Sequence, residues 1–324
     1  MFVFRMRKTK HLRGARTMSN AKHYLAAEAD IDISSVSLSF SARAWSSIKK
    51  DKIAFLSVMI VIFLMLVAIF APWFAPKDPL FQYPEGLSKI GAPQGPGSHF
   101  FLGTDQNGRD VLSRLIFGAR VSLTVGVVAT ALASLIGVVI GTVSGYLGGW
   151  IESILMRLTD VVLSFPLLLF CIALIAVTGP STKNVVLVIA FAYWTYLARI
   201  IRSQVLSLKE REFVIAARSL GLTTPQIIRR HIIPHLIPTI IVYSTLGVAT
   251  SILIEASLSF LGIGVPLPQP SWGEMISEGQ KYFQSAPWLL VAPGVTMIIA
   301  VLAFNLMGDW LTDLFDASTK VAQR

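Results

Sequence analysis

Ionisable side chains buried in apolar sequence are where a chain of this kind would do chemistry, and Glu255, late in the run 239–261, is the clear instance. A carboxylate placed in hydrocarbon costs a few kcal/mol even on lenient scales, so it must face protein or a water-filled path. Two roles fit it, a buried hydrogen-bonding role or a gating and pathway role. One acid near the end of a span makes a thin proton relay, which favours the first. The histidines His11, His23, His99, His231 and His235 are scattered. His231 and His235 stand four apart, yet no acidic residue accompanies them, and Pro234 is expected to break the helix that would align them. No metal site is predicted. No Gly-x-x-x-x-Gly-Lys-Ser/Thr loop is present to cradle nucleotide phosphates, and the single Cys171 has no internal disulfide partner. These patterns contain no catalytic set, so the chain is not expected to be an enzyme or to bind a cofactor.

The second constellation is a docking pattern, EFVIAARSLGLTTPQIIRRHIIP over 212–234. After Glu212, the residues Phe213, Ala216, Ala217 and Leu220 fall on one helical face, with small side chains at its centre. Gly221 is a natural terminator. Thr224 is expected to cap a second helix that begins at Pro225, whose missing N–H costs nothing there, and Pro234 to close it. The spacing predicts a compact helix–Gly–helix flanked by Arg218, Arg229 and Arg230, presenting Ala217 as the middle of a small-residue knob. A merely solvated loop would not need Ala-Ala and a Gly at the bend.

The elements that position these groups are membrane spans. Of 324 residues, 54% are apolar and 14% charged, with mean hydropathy +0.66; soluble domains carry about a quarter charged residues. Six apolar runs approach the ~20 residues that a helix needs to cross a bilayer. They are 53–75, 121–145, 161–178, 184–201, 239–261 and 288–308, the third and fourth forming a tight hairpin around Gly179-Pro180-Ser181. The runs are continuous rather than alternating, which excludes a β-barrel.

The net charge of +10 invites a nucleic-acid reading, but the Lys and Arg flank the apolar runs instead of lining a groove. With the N-terminus inside, 21 of the 28 Lys and Arg fall in inside segments and 7 in outside ones. Both termini are therefore expected in the cytoplasm. The division that follows is a cytoplasmic arm over 1–52, a first span over 53–75, and an external segment over 76–120. A five-helix core then covers 121–308, with a cytoplasmic loop over 205–235, and a cytoplasmic tail covers 309–324. The basic N-terminus has no apolar h-region, so a cleaved signal peptide is not predicted, and 1–40 reads as a weakly ordered arm.

Within the external segment, Val111, Leu112, Leu115 and Ile116 share one face, which predicts a short helix lying on the membrane surface before the second span. In that span Ala129, Ala133, Gly137, Gly141 and Gly145 recur every four residues. Such a stripe lets a neighbouring backbone approach closely, first of all within the chain itself.

The 212–234 segment resembles the coupling loop of ABC importer permeases. Ala216, Ala217, Gly221, Ile233 and Pro234 fall on its pattern, while Ile215 stands where the pattern has Glu and His231 where it has Ile. Further stretches extend the resemblance over about residues 43–318: LGTDQNGRDVLSRLIFGARVSL (102–123), SGYLGGWIESILMR (144–157), EASLSFLGIGVPLPQPSWG (255–273) and NLMGDWLTD (305–313). The first, with Gly103, Thr104, Asp105, Gly108, Arg109 and Asp110 as its signature, is similar to the second permease subunit of dipeptide and oligopeptide importers. The resemblance implies an all-α, six-span type I importer fold in a bacterial cytoplasmic membrane. It also implies a homologous permease partner, two ATPase subunits that bind ATP and Mg and grip 212–234, and an external substrate-binding protein. Short peptides are the implied cargo; nickel or another small solute is the alternative within the family. A proton-coupled transporter would need more intramembrane acids, and a receptor would need an output domain.

Overall fold

The computed structural model describes residues 47–48 and 51–322; the rest of the arm predicted over 1–52, and with it the expectation made for 1–40, lies outside the described residues. Helix α1 (Lys52–Ile69) starts where the Asp51 carboxylate accepts hydrogen bonds from Ile53 N at 2.9 Å and Ala54 N at 3.1 Å. Its buried residues Ala54, Ser57, Val61, Leu64 and Ala68 recur at three- and four-residue steps, so one stripe faces protein while Ile53, Leu56, Phe63 and Ile69 stay exposed. A short α2 (Ala71–Phe74) opens with Pro72 in its first turn and leads into an irregular segment.

Helix α3 (Val111–Leu147) has 37 residues, about 55 Å at 1.5 Å per residue. The separate surface helix expected around 110–116 does not form. No proline interrupts the sequence, Asp110 caps the start through Ser113 N at 2.8 Å, and the same helix continues into the span. It ends at Gly148, whose φ of +69° suits a residue without Cβ.

The run predicted as one span over 161–178 is broken. Helices α4 (Gly149–Leu163) and α5 (Leu167–Thr178) meet at 89° around Pro166, which has no N–H to continue the ladder. Helix α4 is fastened to α6 (Thr182–Leu208) by two ion pairs, Arg199–Asp160 and Arg202–Glu152. The α5–α6 hairpin turns at Gly179 (φ +82°), and Ser181 caps α6 through Asn184 N at 3.0 Å.

Helix α7 (Glu212–Ser219) is followed by α8 (Thr224–Ile227), a π turn (Ile228–Ile232) and α9 (Ile233–Phe260). Two local expectations are corrected here. The cap of α8 is Thr223, whose N–H donates to Gln226 Oε1 at 2.9 Å, one residue before Thr224. Pro234 closes nothing: it follows directly on the π turn, which already departs from the regular α-helical hydrogen-bond ladder, and the chain stays helical from Thr224 to Phe260. Helix α10 (Trp272–Gln280) is capped by Ser271, and α11 (Trp288–Ala322) passes unbroken through the boundary expected at 308.

The core is helix on helix. The most extensive interface joins α3 to α6, and the small-residue stripe makes it. A Cβ on Gly137 would sit 2.8 Å from the Trp194 carbonyl oxygen, and one on Gly141 2.6 Å from that of Ala198. One on Gly145 would lie 2.9 Å from Val205 Cβ and 3.0 Å from the Arg202 carbonyl oxygen. Ala129 and Ala133 are buried beside Cys171 and Trp194 respectively. The stripe is thus occupied by packing inside the chain.

Candidate functional site

Two sites lie at opposite ends of α3. Near its C-terminus, Lys209 Nζ donates to the Gly145 carbonyl at 3.3 Å, which sets the 212–234 element there. In α7, Val214 (0% exposed) and Ala217 (5%) point inward and pack with Leu197, Ile201 and Val205 of α6 and with Ile227, Ile232 and Leu236. The predicted stripe is therefore split, and the place given to Ala217 is corrected. Ala217 is an anchor in its own chain, not the middle of a free knob. Ala216, Ile215 and Leu220 face away from the chain, Leu220 with 81% exposure. Phe213 stacks on His235, with ring centroids 4.8 Å apart. Gly221 adopts φ +81°, and Leu222 N donates to the Ala217 carbonyl at 3.2 Å, the turn that ends the helix and fixes the bend. Glu212 is exposed in the first turn of α7, where a negative charge suits the helix dipole. Arg218, Arg229 and Arg230 are all exposed, and Arg218 lies over the Tyr146 ring at 6.0 Å.

An open cavity of about 1050 Å³ lies beside this element, between α6, α7, α9 and α11. Its walls are polar as well as apolar: Gln204, Ser207, Glu210, Arg211, Thr239 and Tyr243 line it, and Thr239 Oγ1 donates to Gln204 Oε1 at 2.9 Å. Sequence reasoning missed it because four separate helices supply the walls and no local pattern announces them.

At the other end, the six signature residues form a knot. Gly103 (φ +75°) is pressed against its neighbours so closely that a Cβ would lie 2.6 Å from the Gln94 carbonyl oxygen. The Thr104 hydroxyl accepts from Gln94 N at 2.8 Å and donates to the Gly86 carbonyl. Asp105 Oδ1 accepts from Asn107 N and Arg109 N, both at 2.9 Å, around the positive-φ Gly108. Its Oδ2 pairs with Arg109 Nε at 2.6 Å and Arg114 Nε at 3.3 Å. Arg114, 1% exposed, reaches across to α10, where its Nη2 lies 3.0 Å from Glu274 Oε2 and 3.4 Å from Glu278 Oε2. Burial pushes the Glu274 carboxyl up to about 8; Arg114 pulls the other way and Glu278 adds to the rise. Glu274 and Glu278 were not foreseen as partners, although an acid pair four apart on a short amphipathic helix was the available signal.

Glu255 is fully buried between these layers. Its carboxylate accepts from Ser122 Oγ at 2.9 Å and Ser259 Oγ at 2.7 Å. Ser122 in turn accepts from Trp272 N at 3.2 Å, and Ser259 from Val265 N at 3.1 Å. The acid thus gathers two spans and the 261–272 segment through hydroxyl intermediates.

Among the described residues, five helices are long and apolar enough to cross a membrane, and the bent α4–α5 pair supplies a sixth if taken as one span. This fold, with a helical element at one end whose outer face carries exposed apolar side chains, is that of a multi-pass membrane protein. Residues 137–321 match the family described as binding-protein-dependent transport system inner membrane component, and 39–93 match the N-terminal TM domain of oligopeptide transport permease C. The chain belongs to this family of ABC importer permeases, in its dipeptide and oligopeptide branch. It is 39% identical over 277 residues to the dipeptide transport system permease protein DppC of Alkalihalophilus pseudofirmus, covering 86% of this chain and 90% of that one. To the glutathione transport system permease protein GsiD of Escherichia coli it is 40% identical over 278 residues, covering 85% and 90%. Its fold matches a chain of the MetNI methionine ABC transporter in an inward-facing conformation, with TM-score 0.51, 16% identity, and 62% and 96% coverage.

Proposed function

We propose that this chain is one of two homologous permease subunits of an importer that carries short peptides across a bacterial cytoplasmic membrane. The observation that carries the cargo is the pair of relatives near 40% identity over nearly their whole length, one named for dipeptides and one for glutathione, itself a tripeptide. An external binding protein delivers the peptide, and two ATPase subunits hold the ATP and Mg. They act on α7 and α8: Ala216 and Leu220 meet the ATPase, while Ala217, Gly221 and Pro234 keep the element rigid against α6 and α9. Glu212, Phe213 and Arg229 border that contact. The Lys/Arg split of 21 to 7 supports an orientation with both termini and 199–235 in the cytoplasm and with 76–120 and 262–288 outside. Glu255 and the signature Gly103, Thr104, Asp105, Gly108, Arg109 and Asp110 hold the outer end in shape.

The test is uptake by the complete complex in proteoliposomes. Radiolabelled di- or tripeptide should accumulate only with ATP and the binding protein; uptake without either, or uptake of nickel but no peptide, overturns the reading. Orientation is tested separately: cysteines at Ser98 and Ser285 should react with an impermeant maleimide added outside, and one at Ser207 should not.

A further inference from the structure

The charges at the knotted end do not balance. Arg109 and Arg114 face three carboxylates, Asp105, Glu274 and Glu278, and the five side chains are between 1% and 21% exposed. Asp110 brings no cation to the group either; its Oδ2 accepts from Ser113 N and Oγ at 2.8 and 2.6 Å. Both cations are shared. Arg109 bridges Asp105 and Glu278, and one Arg114 nitrogen, Nη2, serves Glu274 at 3.0 and 3.2 Å and Glu278 at 3.4 Å. Glu274 and Glu278 stand one turn apart on α10, and the same Arg114 Nη2 lies 3.0 Å from one carboxylate and 3.4 Å from the other, which draws the two together. Two carboxylates held together out of water repel, and a proton between them turns the repulsion into a hydrogen bond. Glu278, the most exposed of the five, gives that proton its route from solvent.

Among the described residues, the elements that meet α10 also carry Asp110 at the start of α3 and Lys281 directly after α10. From α9 comes Glu255, beyond Ser271; α11 contributes Leu289, and the turn after α10 contributes Tyr282. What the pair fastens is α10 as a whole. Trp272 N is bound to Ser122, Trp272 Nε1 donates to the Leu115 carbonyl at 3.2 Å, and Gly273 touches the α9 backbone at Ala256.

We propose that the Glu274–Glu278 pair holds one proton between its carboxyls, and that this proton keeps α10 docked on the spans: a proton-dependent latch on the end of the bundle where peptide would enter. The direction follows from linkage. A carboxyl raised from its ordinary 4.5 to about 8 in the docked helix, and ordinary once released, favours docking most below pH 4.5. That preference is lost as the pH climbs to about 8 and changes no further above it. Raising the pH therefore loosens α10, and acid seats it.

Spin labels at the exposed positions Ser98 and Gln280, in the assembled transporter in nanodiscs, report the distance from the knot to the end of α10. Wild type should give one narrow distance near pH 6 and a second, broader population at pH 8 to 9. The released fraction should rise by up to tenfold per pH unit before levelling. Glu274→Gln supplies the neutral partner permanently and should keep the narrow distance at every pH; Glu278→Gln should do the same and serves if the first variant assembles poorly. A wild-type distance that is indifferent to pH overturns the proposal, as does an amide variant that moves with pH as wild type does.

Discussion

The two ends of α3 are built on opposite rules. At the 212–234 end, apolar side chains such as Val214, Ala217 and Ile232 face inward, and the outer face carries Leu220 and Ile215 open to whatever docks there. At the knotted end, charges face inward: Arg109, Arg114, Asp105 and Glu274 are buried, and their partners lie within the chain. Apolar anchoring tolerates small sliding, because dispersion contacts are many and individually weak. Buried ion pairs tolerate little, because losing one partner strands a charge out of water. The end read as the place where a partner pushes thus holds itself together by apolar packing, and the end that shapes the bundle by buried charge.

The largest effect expected of this contrast is at Arg114. Arg114→Ala removes the cation shared by Asp105, Glu274 and Glu278 and should destabilise the protein by about 3–5 kcal/mol. Thermal unfolding in detergent should show it, with poor assembly of the complex; a melting temperature like that of wild type would mean the charges are not what holds this end.

An intermediate pair sharpens the difference at the other end. Leu220→Asp places a charge on the open face and should abolish co-purification of the ATPase while leaving the melting temperature unchanged. Ala217→Trp should instead lower the melting temperature, since overpacking a core costs about 1–3 kcal/mol. If both variants lose only the ATPase, the split of the α7 face is wrong.

The smallest effects belong to Glu255→Gln and Arg229→Ala. The amide keeps one acceptor for the Ser122 or Ser259 hydroxyl, and the other serine can turn, so uptake should fall no more than severalfold. Arg229 is exposed and its loss should change uptake little. Abolished uptake in Glu255→Gln with normal assembly would move that acid from a tie to a pathway role.

Much of this was legible in the sequence. Long apolar runs revealed the spans because no other solvent tolerates them, and a Gly after an amphipathic stretch announced the bend at Gly221 for steric reasons. The same rules failed where a residue's effect depends on its place in an element that cannot be bounded beforehand. Pro234 reads as a stop in the middle of a helix and as a start in its first turn, and the sequence shows both patterns. Ala217 is small and nearly neutral, so its type does not say which side of α7 faces home; the bulk of Val214 beside it decides that. Glu274 and Glu278 lie about 160 residues from Arg114, and no spacing rule reaches across that distance.

The π turn at Ile228–Ile232 has a consequence of its own. In an uninterrupted α-helix, side chains five apart point about 140° away from each other. Here Ile227 and Ile232, five apart, are both buried in one cluster, because the extra residue in the turn rewinds the helix between them. That residue works as a phase setting. It keys the face of α8 to the face of α9, and through α9 to Glu255 some 23 residues further on. Taking one residue out of the turn would rotate everything beyond it by about 100°, so the gearing between the two ends is fixed by a count of residues and not by any one contact.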